Sequence, residues 1–339
     1  MRNNEPIRGI LTLVPTPFDD RDKLDIVAFK DNIKYLESIG MNGIVVASSI
    51  GEFYALTDEE FKEIATAARD ECNSMVCVIN CSYQNTRTTV DRVKYAEEIG
   101  ADCAMIYTYH YMQAPTPVLY NEHIKIIYEA TKNIRFMLLN DFREAKGVHI
   151  SNEQYTRLLE QYPRITAIVE DVENASENDI IPLTYTFDNF SDRVSVLSRS
   201  EAGLLPGMAL GGKGCLATYG LAIPQLLLKL YEYCDNKDFY QALKLYQVLT
   251  RYPSMKNVVG VNIPGRPCPL FPGTFTTPIG NTHVILGQKV GTIFPGTATI
   301  SKAMADAAGR KVGNLRLPLL PPTPAMKAFA REWFEDINR

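Results

Sequence analysis

The chain has 339 residues, of which 46% are hydrophobic, and 35 basic against 39 acidic residues give a formal net charge of −4. This length and hydrophobic content allow a large buried core and suggest a barrel-sized domain plus an extension. With no long basic run, no apolar run near the roughly 18 residues of a membrane span and no secretory signal, we expect a cytoplasmic protein that binds small molecules rather than nucleic acid or membrane.

Eight short β-branched or apolar runs alternate with amphipathic patterns along the first part of the chain. Between the runs, apolar residues recur at spacings of three and four and predict helices. Thr57 and Ser151 are predicted helix starts, and Gly40 and Gly100 predicted helix ends. Eight strand–helix units in roughly 220 residues favour a closed, parallel (β/α)8 barrel over an open sheet. The predicted strands lie within 9–14, 43–48, 75–81, 103–109, 135–141, 165–171, 193–198 and 214–218.

The pattern changes after residue 220, where strands stop and helical spacing begins. Residues 258–297 are rich in glycine and proline, carry few charges and are too long for an ordinary loop. Their aliphatic and aromatic content favours an ordered lid or subunit contact over a flexible linker. We therefore divide the chain into a barrel at 1–220 and a C-terminal helical extension at 221–339 that includes this insertion.

Seven cysteines occur without any CxxC pair. The odd number and the missing pairs argue against a disulfide framework or a zinc site. Cys81, at a strand end, and Cys268, in a proline-rich stretch, are harder to assign. The other five lie mostly in apolar runs and are predicted to be buried, reduced thiols: Cys72, Cys77, Cys103, Cys215 and Cys234.

Several motifs, taken in order, resemble the dihydrodipicolinate synthase and N-acetylneuraminate lyase family of class I aldolases. They are PTPF at 15–18, SSIGEFYALTDEE at 48–60, KYAEEIGAD at 94–102, GGKGCLA at 211–217 and NLRLPLLPPT at 314–323. The resemblance implies a (β/α)8 barrel with a C-terminal helical extension. The insertion near 258–297 is the one long segment that departs from the family pattern.

The resemblance fails at two positions on which the family's chemistry depends. Family members form a Schiff base through a lysine on strand six, in a motif that here reads Ile168-Val169-Glu170. Valine has no amine and cannot form the iminium that covalent catalysis requires. The family's proton-relay tyrosine on strand five aligns with Leu139, which Asn140 follows. Because that relay serves the Schiff-base cycle, losing both groups together indicates a pocket with a new purpose.

Other family positions keep polar side chains. Ser49 matches the first threonine of the GTTGE motif, while Ile50 replaces the second. Tyr111 matches a tyrosine that reaches across a dimer interface, and His110 stands beside it. Arg143 lies near, but not at, the place of the carboxylate-binding arginine. The resemblance therefore implies catalytic candidates at Ser49, Tyr111 and His110, and a homodimer or homotetramer.

Strand alternation predicts which charged groups enter the mouth of the barrel. If Val169 points inward, Asp171 does as well, and Leu139 implies the same for Asp141. Both acids would lie at the C-terminal strand ends, where barrel enzymes hold their chemistry. We expect Asp171 to act as a general acid or base.

Arg199 follows the seventh predicted strand and is expected to anchor a carboxylate of the ligand. The alternative is that Asp141, Asp171 and Arg199 form ion pairs that only hold the loops. The other predicted ligand contacts are Asn140, Asp141, Glu201, Val169, Leu139 and Arg143.

The sequence offers two further candidate sites. Lys146, on the loop after strand five, could serve as an alternative nucleophile, whereas Lys213, before strand eight, faces the wrong end of the barrel. Asp141, Asp171 and His110 could converge on a metal, but no metal-binding motif supports this. Two other histidines, His123 and His149, fit structural or solvated positions.

The sequence thus predicts an enzyme that acts on a small carboxylate or carbonyl compound, similar to a 2-keto acid, by acid–base chemistry without a Schiff base, a metal or a cofactor. One alternative is a catalytically silent binding or regulatory homologue. Another is a pyruvate aldolase or synthase that uses an unrecognised lysine. The fold alone does not choose between them.

Overall fold

The computed structural model describes residues 5–107, 117–140, 150–171, 177–251, 275–276, 283–285, 288–290, 297–317, 319, 321–322 and 324–338. The predictions made for seven residues lie outside this part of the chain. These residues are His110, Tyr111, Asp141, Arg143, Lys146, His149 and Cys268.

Eight parallel strands close a barrel in sequential order, and the last strand pairs with the first. Both faces of most strands are buried, as expected of a parallel sheet covered by helices. The predicted (β/α)8 barrel is confirmed. Its strands are β1 (Gly9–Leu13), β2 (Gly43–Val46), β3 (Val76–Asn80), β4 (Cys103–Tyr107), β5 (Arg135–Asn140), β6 (Ile165–Glu170), β7 (Ser195–Ser198) and β8 (Gly214–Ala217).

Two helix starts and two helix ends that the sequence indicates are present in the structure. Thr57 and Ser151 cap α2 and α5, each through a capping box. Gly40 and Gly100, which follow α1 and α3, adopt a φ of 75°, a conformation that favours glycine. These helices are α1 (Ile26–Ser38), α2 (Asp58–Glu71), α3 (Thr86–Glu98), α4 (Pro117–Glu129), α5 (Asn152–Gln161), α6 (Glu177–Phe190), α7 (Leu204–Ala209) and α8 (Pro224–Asp235).

The C-terminal part contains helices and also strands. Three helices are α9 (Phe239–Arg251), α10 (Thr297–Ala307) and α11 (Pro324–Ile337). The expectation that strands stop after residue 220 is wrong, because β9 (Phe275–Thr276), β10 (His283–Ile285) and β11 (Gln288–Val290) form an antiparallel sheet. Its strands are only two or three residues long, so their β-branched and aromatic residues are hard to recognise among the surrounding glycines and prolines.

The division of the chain at residue 220 stays a prediction. α8 contacts both α7 and β1, which is the position of the eighth helix of such a barrel. The extension would then begin with α9. In the part of the chain that the structure describes, no helix is long and apolar enough to cross a membrane.

Six cysteines lie in the described residues, and all six are buried. This confirms the five predicted buried thiols, and Cys81 joins them. Burial raises the pKa of Cys103 to about 12 and that of Cys234 to about 11. Such thiols stay protonated and unreactive at neutral pH.

A buried ion pair joins the C-terminal extension to the loop after β2. Lys302 Nζ, on α10, lies 2.7 Å from Glu52 Oε1, and the two side chains are 2% and 0% exposed. The backbone N–H of Arg316 donates to Glu52 Oε2 at 2.9 Å, and its guanidinium pairs with Glu60 at 2.6 Å. The extension therefore fixes the loop that carries Ser49.

Candidate active site

The direction of the side chains on β6 follows from contacts with the helix layer. Glu170 and Ser198 are register partners on β6 and β7. Glu170 hydrogen-bonds Tyr155 on α5, and a Cβ at Gly207 on α7 would collide with the hydroxyl of Ser198. Both side chains thus face the helices. Because side chains alternate along a strand, Val169 faces the barrel interior.

Leu139 and Val169 form an apolar floor near the C-terminal end of the barrel. They are register partners on β5 and β6, and both are buried. They stand at the two positions where the family resemblance implies a tyrosine and a lysine. Neither side chain carries a group that can exchange a proton or attack a carbonyl carbon.

Arg199 and Asp171 meet just beyond the ends of β7 and β6. Arg199 Nε lies 3.3 Å from Asp171 Oδ1, with side chains 15% and 4% exposed. The backbone N–H of Arg199 donates to the carbonyl of Glu170 at 2.8 Å and continues the strand ladder to this point. The ion pair between Asp171 and Arg199, which the sequence allows as an alternative to ligand binding, is therefore present. A guanidinium has five N–H donors and can hold Asp171 and a ligand carboxylate together.

Glu170 lies on the opposite face of β6, where Asn140 supports it. Asn140 Nδ2 donates to Glu170 Oε2 at 3.1 Å, and Asn140 Oδ1 accepts from the backbone N–H of Ile150 at 2.9 Å. The amide of Asn140 therefore faces the helix side of the sheet. Asn140 thus supports Glu170, and its predicted contact with a ligand stays a prediction.

Glu170 was not among the predicted site residues. Burial raises its pKa to about 8, although the hydrogen bonds with Tyr155 and Asn140 act in the opposite direction. The side chain therefore holds a proton at neutral pH. The available signal in the sequence was a single acid inside an otherwise apolar strand, ITAIVE.

Glu201 closes the wall between β7 and β8. Its carboxylate Oε2 accepts from the backbone N–H of Thr218 at 2.7 Å, and the residue is buried in a 3-10 turn at Glu201–Gly203. Its predicted contact with a ligand stays a prediction. The observed hydrogen bond holds the loop after β7 against the end of β8.

Hydroxyl groups gather at the ends of the first strands. Ser49 is half-buried, and its backbone N–H donates to the hydroxyl of Tyr107 at 3.2 Å. The ring of Tyr107 stacks on Phe53 with centroids 5.8 Å apart. Among the described residues, the buried hydroxyls of Ser48 and Thr12 have no hydrogen-bond partner. Tyr107 was not among the predicted site residues. The signal in the sequence was a tyrosine, with its hydroxyl group, at the end of a buried strand.

The remaining candidates lie elsewhere. Lys213 precedes β8, and its backbone N–H donates to Val196, so it lies at the N-terminal end of the barrel as predicted. His123 Nδ1 lies 2.9 Å from Thr86 Oγ1, and burial lowers the pKa of the imidazole. The described residues contain no group of three or more His, Cys, Asp or Glu side chains that could hold a metal ion.

Comparison with known families decides the affiliation. The chain matches the Dihydrodipicolinate synthetase family over residues 6–263. The protein belongs to this family. It is thus related to aldolase-like lyases, and the barrel, its closure and its C-terminal helices agree with that membership.

Three similar proteins of the Dihydrodipicolinate synthetase family illustrate the relationship. A 4-hydroxy-tetrahydrodipicolinate synthase of Methanocaldococcus jannaschii is 27% identical over 333 residues, which cover 98% of this chain and 99% of the relative. One from Rickettsia bellii is 30% identical over 258 residues, 73% and 81% of the two chains. A solved Escherichia coli K12 prophage protein, in complex with pyruvate, has a TM-score of 0.79 at 20% identity and covers 98% of both chains. At this identity the structural likeness concerns the fold.

Proposed function

We propose that the protein is an enzyme that acts on a small carboxylate or carbonyl compound by acid–base chemistry, without a lysine Schiff base. The observation that carries the proposal is the buried pair Leu139 and Val169, adjacent in register where the resemblance implies the relay tyrosine and the lysine. An apolar floor at this place can pack against the body of a small substrate. It cannot form an iminium with the substrate.

Arg199 supplies the cation that a carboxylate needs beside this floor. It lies just past β7, and its backbone N–H donates to the carbonyl of Glu170. Because Val169 is the register partner of Leu197, Arg199 lies two residues further toward the mouth of the barrel than the floor. A guanidinium binds a carboxylate through two parallel hydrogen bonds. The E. coli relative was solved with pyruvate, a 2-keto acid, and this ligand class suits a site with one cation and an apolar floor.

Asp171 is the proposed general acid or base. Its carboxylate lies 3.3 Å from the guanidinium of Arg199, so a substrate held by Arg199 would lie beside it. Ser49 adds a half-buried hydroxyl from the loop after β2. His110 and Tyr111 remain predicted contributors from the loop after β4, and Asp141 and Arg143 from the loop after β5.

The main competing function is that of a silent binding or regulatory homologue. Two contacts favour this alternative: the ion pair between Asp171 and Arg199, and the hydrogen bond from the backbone N–H of Thr218 to Glu201. They stabilise the loops at the mouth of the barrel without a ligand, so these charged residues could have a structural role alone. A pyruvate aldolase using another lysine is the third candidate. Lys302 does not suit this role, because its ammonium is buried against Glu52.

Reductive trapping distinguishes a Schiff-base aldolase from the acid–base enzyme and from the silent homologue. The protein is incubated with pyruvate and borohydride, and its intact mass is measured. We expect no adduct on the wild-type chain, whereas Val169→Lys serves as a control that the position faces the ligand. A stoichiometric adduct on any native lysine would contradict the proposal.

Proton exchange separates the enzyme from the silent homologue. The loss of the C3 protons of pyruvate and 2-oxobutyrate in D₂O is followed by NMR. We expect exchange with the wild-type protein that Asp171→Asn reduces by about 10²-fold or more. Asp188→Asn, at an exposed position on α6, is the matched control. Saturable binding of either acid without any exchange would favour the silent homologue.

A further inference from the structure

A cavity of about 450 Å³ opens at the N-terminal ends of β5 to β8, at the opposite end of the barrel from the candidate active site. Four consecutive strands contribute to its wall. Arg135 begins β5, Thr166 lies in β6, Ser195 begins β7 and Lys213 precedes β8. The volume lies within the range of small-molecule sites.

Arg135 brings an uncompensated positive charge to this wall. The residue is only 6% exposed. Its Nε donates to the backbone carbonyl of Asp102 at 3.1 Å and its Nη1 to that of Glu5 at 2.7 Å. Within the described part of the chain it forms no ion pair. Buried charges in proteins are normally paired, so a cation held only by neutral carbonyls favours an anion nearby.

The other polar groups of the wall are mainly donors. Lys213 is half-buried and Arg193 exposed, and neither forms an ion pair with a described residue. The hydroxyl of Ser195, a residue 3% exposed, and that of Thr166 are buried without a hydrogen-bond partner among the described residues. A ligand rich in acceptors would match both the charge and these donors.

Acidic side chains also reach the cavity. Glu5 and Asp192 belong to the same wall, and both are exposed, whereas Arg135 is buried. The buried side of the cavity is therefore positive although the chain as a whole carries a net charge of −4. The positive potential on this side of the cavity attracts an anion, even though the protein as a whole is negatively charged.

The backbone holds the donors in fixed positions. Lys213 is bonded on both sides, because its N–H donates to Val196 and its carbonyl accepts from Gly9, each at 2.8 Å. Gly214 follows with a φ of 149°, and a Cβ there would collide with the Gly9 backbone. Only glycine permits this close approach. A preorganised donor loses less freedom when a ligand binds.

We propose that this cavity binds a small oxyanion with more than one negative charge, such as a phosphate group or a di- or tricarboxylate. Arg135, Lys213 and Arg193 supply the cations, and Ser195 and Thr166 supply hydroxyl donors. The site is separate from the mouth of the barrel and does not depend on the chemistry proposed there.

Calorimetric titration of the full chain with inorganic phosphate, and separately with citrate, tests the proposal. The ionic strength is kept constant, and a titration with sodium chloride serves as the control. We expect saturable binding of at least one anion with one site per chain. Lys213→Gln should weaken it about tenfold or more, because a charge-assisted hydrogen bond is lost. Arg193→Gln, at an exposed position, is a second variant that keeps the test valid if Lys213→Gln unfolds.

Two controls assign the site. Lys229→Gln changes an exposed lysine on α8, and Arg199→Ala changes the mouth of the barrel; binding should persist in both. Ser195→Ala should weaken binding while leaving the thermal midpoint of the ligand-free protein unchanged or higher, because it removes a buried unpaired hydroxyl. The proposal is overturned if neither anion saturates, if Lys213→Gln and Arg193→Gln both bind as the wild type does, or if only Arg199→Ala abolishes binding.

Discussion

The ion pair between Arg199 and Asp171 links two residues whose roles were predicted separately, one as a carboxylate anchor and one as a general acid or base. Alternation along β6 predicted the position of Asp171 above Val169, and Arg199 was expected at the end of β7 because it follows that strand; both residues lie beyond the strand ends. The distance between them could not be predicted, because it depends on two rotamers and on the stagger of the strands. An arginine bonded to an acid has both a fixed direction and a fixed charge, which a carboxylate anchor requires.

The first prediction concerns the proposed anchor. Arg199→Ala should weaken the binding of pyruvate by roughly tenfold to over a hundredfold, because one charge-assisted contact is removed. Calorimetry measures this, with Arg157→Ala as a matched control on the exposed face of α5. Arg199→Lys keeps the charge beside Asp171 and guards against loss of folding. An unchanged affinity in a folded Arg199→Ala protein would leave Arg199 as a residue that only holds the loop.

The second prediction uses the pKa of Glu170, which burial raises from 4.5 to about 8. The folded state therefore binds this proton more tightly than the unfolded state. The resulting stability is fully present below about pH 4.5 and is lost as the pH rises toward 8, by an amount on the order of a few kcal/mol.

Glu170→Gln should remove this dependence, because an amide does not titrate. Urea unfolding between pH 5 and 8 should show a flatter profile than that of the wild type, whereas Glu153→Gln on the exposed face of α5 should follow the wild type. Equal slopes for Glu170→Gln and the wild type would show that Glu170 ionises in the folded protein as it does in water.

At the scale of elements, the sequence predicted most of what surrounds the site. Buried parallel strands read as apolar runs, and capping residues such as Thr57 and Ser151 act within one helical turn, so both are visible locally. The direction of Asn140 was not visible, because it depends on the contact with Ile150 and Glu170 across the sheet. The strands β9 to β11 were missed because their pairing is not local and each is at most three residues long.

The third prediction concerns the ion pair that joins α10 to the loop after β2. Burial lowers the pKa of Lys302 and raises that of Glu52, so each charge depends on the other. Lys302→Met leaves a buried carboxylate without its cation and should lower the free energy of unfolding by about 3–5 kcal/mol. The double variant Glu52→Gln with Lys302→Met should recover part of this loss.

Urea unfolding with Lys311→Met as the control measures the effect. Lys311 forms an exposed pair with Asp25, for which less than about 1 kcal/mol is expected. If Lys302→Met loses no more than Lys311→Met does, the extension is not held to the barrel through this pair.

For the whole molecule, the barrel separates two sets of charged groups. The C-terminal end carries Asp171 and Arg199 above an apolar floor, and the N-terminal end carries Arg135 and Lys213 around a cavity. Barrel enzymes place their chemistry at the C-terminal end, whereas the other end is free to serve stability or binding. The two proposals can therefore fail independently of each other.

The last prediction is an oligomer. Family resemblance implies that Tyr111 approaches a neighbouring subunit. On the described surface, α9 exposes large apolar side chains at Phe239, Tyr240 and Leu243, which a subunit contact would cover. Light scattering at micromolar concentration should give two or four times the chain mass of 38.0 kDa. Tyr240→Lys should shift the mass toward one chain, whereas Lys229→Ala, at an exposed position on α8, should leave it unchanged. A strict monomer in the wild type would remove the reason for placing Tyr111 at an active site shared between subunits.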